Sequence, residues 1–179
     1  KAKELGIRET IRYTDDAIKH LFKNIKDKEW FKNTLFIITA DHTSPVNYNK
    51  KYNNRIGRYS IPMLLFKGDG SIKGINSNIV QQIDIMPTIL EQIHYKETYF
   101  SFGKSMLSKE SWAINKLNNN YYFITDEEFI NNRLEDYPTF SNWSLDKKTN
   151  PNPKNIRLLK AIKQDYNNRM LNNKIRHEN

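Results

Sequence analysis

The sequence predicts an α/β fold in which a mostly parallel central sheet is covered by helices, with a small antiparallel sheet toward the carboxyl end. Three features point to it. An amphipathic helical pattern over residues 8–25 leads into an unbroken β-branched and aromatic run at 34–39. A run of that kind, without alternation, suits a strand buried on both faces, and helix followed by buried strand is half of a doubly wound unit. Beyond Gly103 the pattern changes to short aromatic runs at 121–124 and 129–130 on either side of residues 125–128, as in a β-hairpin.

The first helix is read from Ile11, Tyr13, Ala17, Ile18, Leu21, Phe22 and Ile25, which recur at three- and four-residue steps as on one helix face. A charged turn with Trp30 and Phe31 separates it from the strand. After Ala40 the chain turns polar and rich in Asn, Tyr and Lys as far as Gly57, which predicts a long loop. Residues 61–66 form a second apolar run, with Pro62 near its start where a missing N–H is tolerated, and residues 67–70 close it as a turn. Val80, Ile83, Met86, Ile89, Leu90 and Ile93 return to helical spacing. Pro87 within them fits the first turn of a helix starting near Asp84 or Pro87 after a short approach. A terminal helix is expected over 156–175 from Leu159, Ile162, Tyr166 and Met170. The expected organisation is one domain, with residues 1–110 as the α/β part and 111–179 as a hairpin appendix and terminal helix.

The chain has 179 residues, enough for one domain with a sizeable core, and its 37% hydrophobic, 27% charged and 12% aromatic usage is that of a folding chain. Its 29 Lys and Arg against 20 Asp and Glu give a net charge of +9. Charge of that sign suits an anionic partner, but the lysines are spread along the chain without a dense block, a finger or an RNP-like motif, so nucleic acid is not expected. Much of the excess follows Lys147 and reads as a solvated basic tail. Without cysteine there is no disulfide framework, thiolate metal site or cysteine nucleophile. No apolar run approaches the ~20 residues that span a bilayer. The chain opens on Lys1 rather than Met, on the approach to a helix, so a fragment or processed product is expected, with any anchor upstream.

The sharpest chemical feature is Asp41-His42 at the carboxyl end of the run 34–39, because ligands of open α/β sheets bind outside the carboxyl ends of the strands. An anionic oxygen beside a neutral imidazole suits Zn²⁺, Mn²⁺ or a similar ion, which ordinarily takes at least a third protein ligand. The alternative is structural: Asp41 capping the turn that follows, and His42 a loop histidine. Arg55 and Arg58 in the polar loop are candidates to meet an anionic ester through their forked guanidinium groups, with solvated loop arginines as the alternative. Asp84 and Thr88 beside Pro87 read either as helix-end support or as functional groups. The aromatic cluster Trp112, Tyr121, Tyr122 and Phe123 reads as core.

Residues 33–42, Asn-Thr-Leu-Phe-Ile-Ile-Thr-Ala-Asp-His, resemble the NTLFIITADH segment of the sulfatase-type domain found in lipoteichoic acid synthases, phosphoethanolamine transferases and related enzymes of the alkaline phosphatase superfamily. Residues 59–66 resemble the family's Y-x-I-P strand, residues 82–90 its QxDIxPTIL helix and residues 102–107 its FGxSLL turn, in order and at plausible spacing. The resemblance implies an alkaline-phosphatase-like sandwich of which this chain is the carboxy-terminal part. It also implies one divalent ion, Mn, Zn, Mg or Ca, held by Asp41 and His42. It places the Thr or Ser nucleophile and an acidic ligand upstream of Lys1, so no catalytic residue is expected here and the isolated chain is expected to be inactive. His20, His94 and His177 receive no role.

The activity implied is cleavage or transfer of phosphate esters, of glycerophosphate or phosphoethanolamine type, or of sulfate esters. The partners expected are the upstream part of the same polypeptide, an anionic ester substrate and, through an upstream anchor, the membrane at its extracytoplasmic face. Other classes remain open: a non-catalytic binding module on the same fold, or a basic surface protein that associates with anionic polymers or membranes.

Overall fold

A computed structural model describes residues 2–44 and 52–174. The chain forms two compact units, Lys1–Pro45 with Tyr59–Ile75, and Val46–Arg58 with Asn76–Asn179.

In the first unit, helix α1 spans Ala2–Ile25, beginning earlier than the apolar pattern suggested. Thr10 and Thr14 sit on it without disturbing the ladder, their hydroxyls donating to the carbonyls of Gly6 and Thr10. Strand β1, Leu35–Thr39, pairs antiparallel with β2, Met63–Lys67, and Phe36 lies opposite Phe66. Their rings stack with centroids 4.9 Å apart. Phe22 of α1 packs on both, at 5.2 and 5.3 Å, and Phe31 completes the cluster against Phe36. A 3-10 turn, Phe31–Asn33, joins helix to strand, and Gly68 lies so close to it that a Cβ would fall 2.2 Å from the Phe31 carbonyl oxygen. No side chain fits there.

Both strands were expected, but as parallel strands buried on two faces. The pair is antiparallel, every residue of β1 is partly exposed, and Leu64 is 53% exposed. The cause is physical: an all-apolar run reports high strand propensity but not direction, and two strands under one helix cannot cover both of their own faces.

In the second unit a 3-10 turn, Gln82–Asp84, runs into α2, Ile85–Gln92, so Pro87 falls in the first helical turn as expected. Asp84 and Thr88 are wholly buried. The Thr88 hydroxyl donates to the Asp84 carbonyl at 2.6 Å and accepts from the Met106 N–H at 2.9 Å. Gly103 presses on the same turn, where a Cβ would come within 2.1 Å of the Ile83 carbonyl oxygen. The two stretches resembling QxDIxPTIL and FGxSLL thus form one clasp.

A five-stranded antiparallel sheet follows in the order β3, Trp112–Leu117; β4, Asn120–Thr125; β5, Phe129–Asn132; β6, Thr139–Phe140; and β7, Lys148–Thr149. The expected hairpin is β4–β5, with Tyr121–Ile124 paired to Asn132–Phe129. It is preceded by a tighter one. Asn118 and Asn119, both at positive φ, form the two-residue turn between β3 and β4, a conformation that asparagine tolerates and that matches the strand twist. One sheet face packs Tyr121, Phe123 and Ile130 against Leu159 of α3, Pro153–Leu171; the other packs Ile124 and Phe129 with Ile56. Helix α3 is capped by Asn152, whose side chain accepts from the Lys154 N–H, and Pro153 opens it. The buried Glu128 accepts from the Asn152 N–H and the Asn155 amide, tying the β4–β5 loop to that cap.

Candidate metal centre

Strand β1 delivers Asp41 and His42 immediately beyond its carboxyl end. The chain leaves the ladder after Thr39, whose hydroxyl donates to the Pro62 carbonyl at 2.9 Å and fixes the exit against the start of β2. The next residues are exposed: the Asp41 side chain keeps 87% of its accessible surface and that of His42 74%.

The two side chains converge. The His42 N–H donates to Asp41 Oδ1 at 2.8 Å, and His42 Nε2 lies 3.5 Å from Asp41 Oδ2. His42 Nδ1 lies 2.8 Å from the Thr43 carbonyl oxygen. A carbonyl only accepts, so this contact places a proton on Nδ1 and, in the neutral ring, leaves the Nε2 lone pair facing the carboxylate. An imidazole oriented through its other nitrogen by a backbone carbonyl is the usual arrangement of a histidine ligand. The donor set therefore fits a divalent ion of Zn²⁺ or Mn²⁺ type at Nε2 and Oδ2. It supplies two ligands, and among the described residues no third His, Cys, Asp or Glu joins them. Asp41 Oδ1 thus takes the His42 main-chain N–H, while Oδ2 is the oxygen that faces Nε2.

The loop arginines belong to the second unit. Arg55 Nη1 approaches the Tyr122 hydroxyl at 3.5 Å, and Arg58 Nη2 approaches Asn53 Oδ1 at 3.5 Å. Both are exposed. Asn54 organises the segment, its Oδ1 accepting from the N–H groups of Ile56 and Gly57 and its amide donating to the Trp143 carbonyl. Residues 45–51 of the expected long loop lie outside the described residues, as does His177. Asp84 and Thr88 are spent on the clasp and, among the described residues, belong to no group of three metal-ligating side chains.

Comparison with known proteins bears on the family and the fold. A sulfatase family model matches residues 8–95, a segment that contains most of α1, both strands of the first unit, Asp41, His42 and α2. Lipoteichoic acid synthases of Staphylococcus aureus strains USA300 and NCTC 8325 are each 26% identical over 140 residues, covering 72% of this chain and 22% of the relative. The chain thus spans about a fifth of the length of these curated relatives. A solved structure of a protein in the alkaline phosphatase superfamily from Vibrio parahaemolyticus superposes with a TM-score of 0.75 at 20% identity, over 94% of this chain and 42% of that one. Residues 8–95 thus match the sulfatase family model, and the chain has the same fold as part of that solved structure.

Proposed function

We propose that this chain contributes Asp41 and His42 to a divalent metal centre of an enzyme that cleaves or transfers phosphate or sulfate esters. The observation that carries the reading is the approach of His42 Nε2 to Asp41 Oδ2 at 3.5 Å, with Nδ1 turned to the Thr43 carbonyl. The sulfatase match over both residues and the relatives named lipoteichoic acid synthase support it. When bound, an ion of Mn, Zn, Mg or Ca type would supply Lewis acidity toward the ester oxygens and toward a hydroxyl nucleophile. The chain's own residues do the rest of the local work. The Thr43 carbonyl orients the ring through Nδ1, Asp41 Oδ1 accepts the His42 main-chain N–H, and the Thr39 hydroxyl anchors the turn to β2.

The remaining ligand and the Thr or Ser nucleophile would come from other parts of the whole protein. Water as acceptor gives a hydrolase, and a sugar or glycerol hydroxyl gives a transferase of glycerophosphate or phosphoethanolamine type. We place the whole protein at the extracytoplasmic face of the cell membrane, with attachment by a segment other than those described, since no described helix is long and apolar enough to cross a membrane. The test is Mn²⁺ binding by the whole protein, followed by electron paramagnetic resonance, together with turnover of aryl phosphate monoesters, phosphodiesters and sulfates. The expected result is that Asp41→Ala and His42→Ala each weaken binding by about ten- to a hundredfold and remove turnover. Unchanged Mn²⁺ binding in both variants would overturn the assignment.

A further inference from the structure

The open face of the five-stranded sheet holds a cavity of about 360 Å³. Period-two alternation and the strand register put Tyr122 and Ile124 of β4, Phe129 and Asn131 of β5, Phe140 of β6 and Lys148 of β7 on this one face, opposite to the face that meets α3. Phe129, Phe140 and Lys148 form a continuous cross-strand row. The apolar members make a floor, which Ile56 and Leu145 extend from the flanking loops. Among the described residues three cationic side chains stand around it, Arg55, Arg133 and Lys148, and no carboxylate lines it.

The cations are not consumed by the fold. Among the described residues Lys67 pairs with Asp69, Lys104 with Asp84 and Arg169 with Asp165, and none of the three cavity cations takes part in such a pair. Arg55 meets only the Tyr122 hydroxyl, at 3.5 Å, beyond good hydrogen-bond distance. Asn131, a buried residue, also lines the cavity.

We propose that this cavity binds an organic anion: a phosphate or sulfate ester whose charged head meets Arg55, Arg133 and Lys148 and whose organic group lies on the Tyr122, Phe129 and Phe140 floor. Guanidinium groups meet such heads through paired N–H donors, and an apolar floor beneath them discriminates an ester from the bare inorganic ion. The inference stands on residues of the second unit alone and does not require Asp41 and His42 to hold a metal.

The test is binding of 4-(hydroxymethyl)phenyl phosphate to the whole protein, in chelator and in the Asp41→Ala background, followed by titration calorimetry. Inorganic phosphate and 4-(hydroxymethyl)phenol serve as controls. The ester is expected to bind more tightly than either control. Arg133→Gln and Lys148→Gln, both at exposed residues, are expected each to weaken it by about tenfold, and both together to abolish it. Phe140→Ala is expected to weaken the ester while leaving inorganic phosphate unchanged. Equal binding of the phenol, indifference to the double charge substitution, or loss of binding in the Asp41→Ala chelated protein alone would each overturn the proposal, the last by moving the anion to the metal centre.

Discussion

The wholly buried carboxylate of Asp84 is 3.0 Å from the Lys104 ammonium and accepts the Lys104 main-chain N–H at 2.9 Å. Its second role is to accept the N–H of Gln81 at 3.0 Å. Lys104 in turn donates to the Trp112 carbonyl at 2.9 Å and lies over the Trp112 ring. One ion pair therefore joins the turn before α2 to the first strand of the sheet.

Removing one partner leaves a buried charge alone. Lys104→Met is expected to destabilise the protein by about 3–5 kcal/mol, whereas Asp84→Asn with Lys104→Met is expected to be milder than Lys104→Met alone, because no bare charge remains. Urea denaturation of the single and double variants checks this. A double variant as damaged as the single would show that the pair is not the cause.

Thr88→Val keeps the shape and removes the hydroxyl that bridges the Asp84 carbonyl and the Met106 N–H. The expected loss is about 1–3 kcal/mol, with Thr88→Ser recovering most of it. Thermal denaturation of both variants measures the difference, and equal behaviour of Val and Ser would contradict the bridge.

Gly103→Ala puts a methyl group against the Ile83 backbone, which cannot rotate away as a side chain would. A loss of more than about 2 kcal/mol is expected. Gly6→Ala, where a Cβ meets nothing within 4 Å on a helix, is the control and is expected to be neutral or stabilising. A neutral Gly103→Ala in the same denaturation assay would show that the turn has room.

The Asp69 carboxyl is lowered to about 2, chiefly by the Ser71 hydroxyl, then by the Ser71 N–H and by Lys67. A lowered carboxyl stabilises the turn where it is ionised. The contribution is fully present above the ordinary value of about 3.9 and is lost as pH falls toward 2. Ser71→Ala is expected to bring the titration back up toward the ordinary value, which carbon-detected NMR of the carboxyl reads directly. An unmoved midpoint would assign the shift elsewhere.

How far these features were legible in the sequence varies with the distance over which they are made. The runs at 34–39 and 61–66 and the helical spacing at 8–25 report local structure and are found where expected. Pro87 marks the first turn of α2 because its constraint is local. The direction of pairing of β1 with β2 is not local, and apolar runs carry no sign of it. Strands β6 and β7 have two residues each, too few for any periodicity, and exist because the β5 edge holds them in register. At the candidate site, Asp41 and His42 stood out as adjacent ligand types at a strand end. Arg133 and Lys148 did not, since what places them on one cavity is strand alternation that only the register reveals.

The order of the five-stranded sheet has a kinetic consequence. Every ladder in it joins strands consecutive in the chain, and the clasp bonds join residues only 18 and 20 apart. Contacts of such short sequence separation make a low contact order, and closing short loops takes little chain entropy. The β4–β5 hairpin offers a start from which β3 adds on one side and β6 and then β7 on the other. The five-stranded sheet is thus wired to form quickly, by zipping outward from a single hairpin.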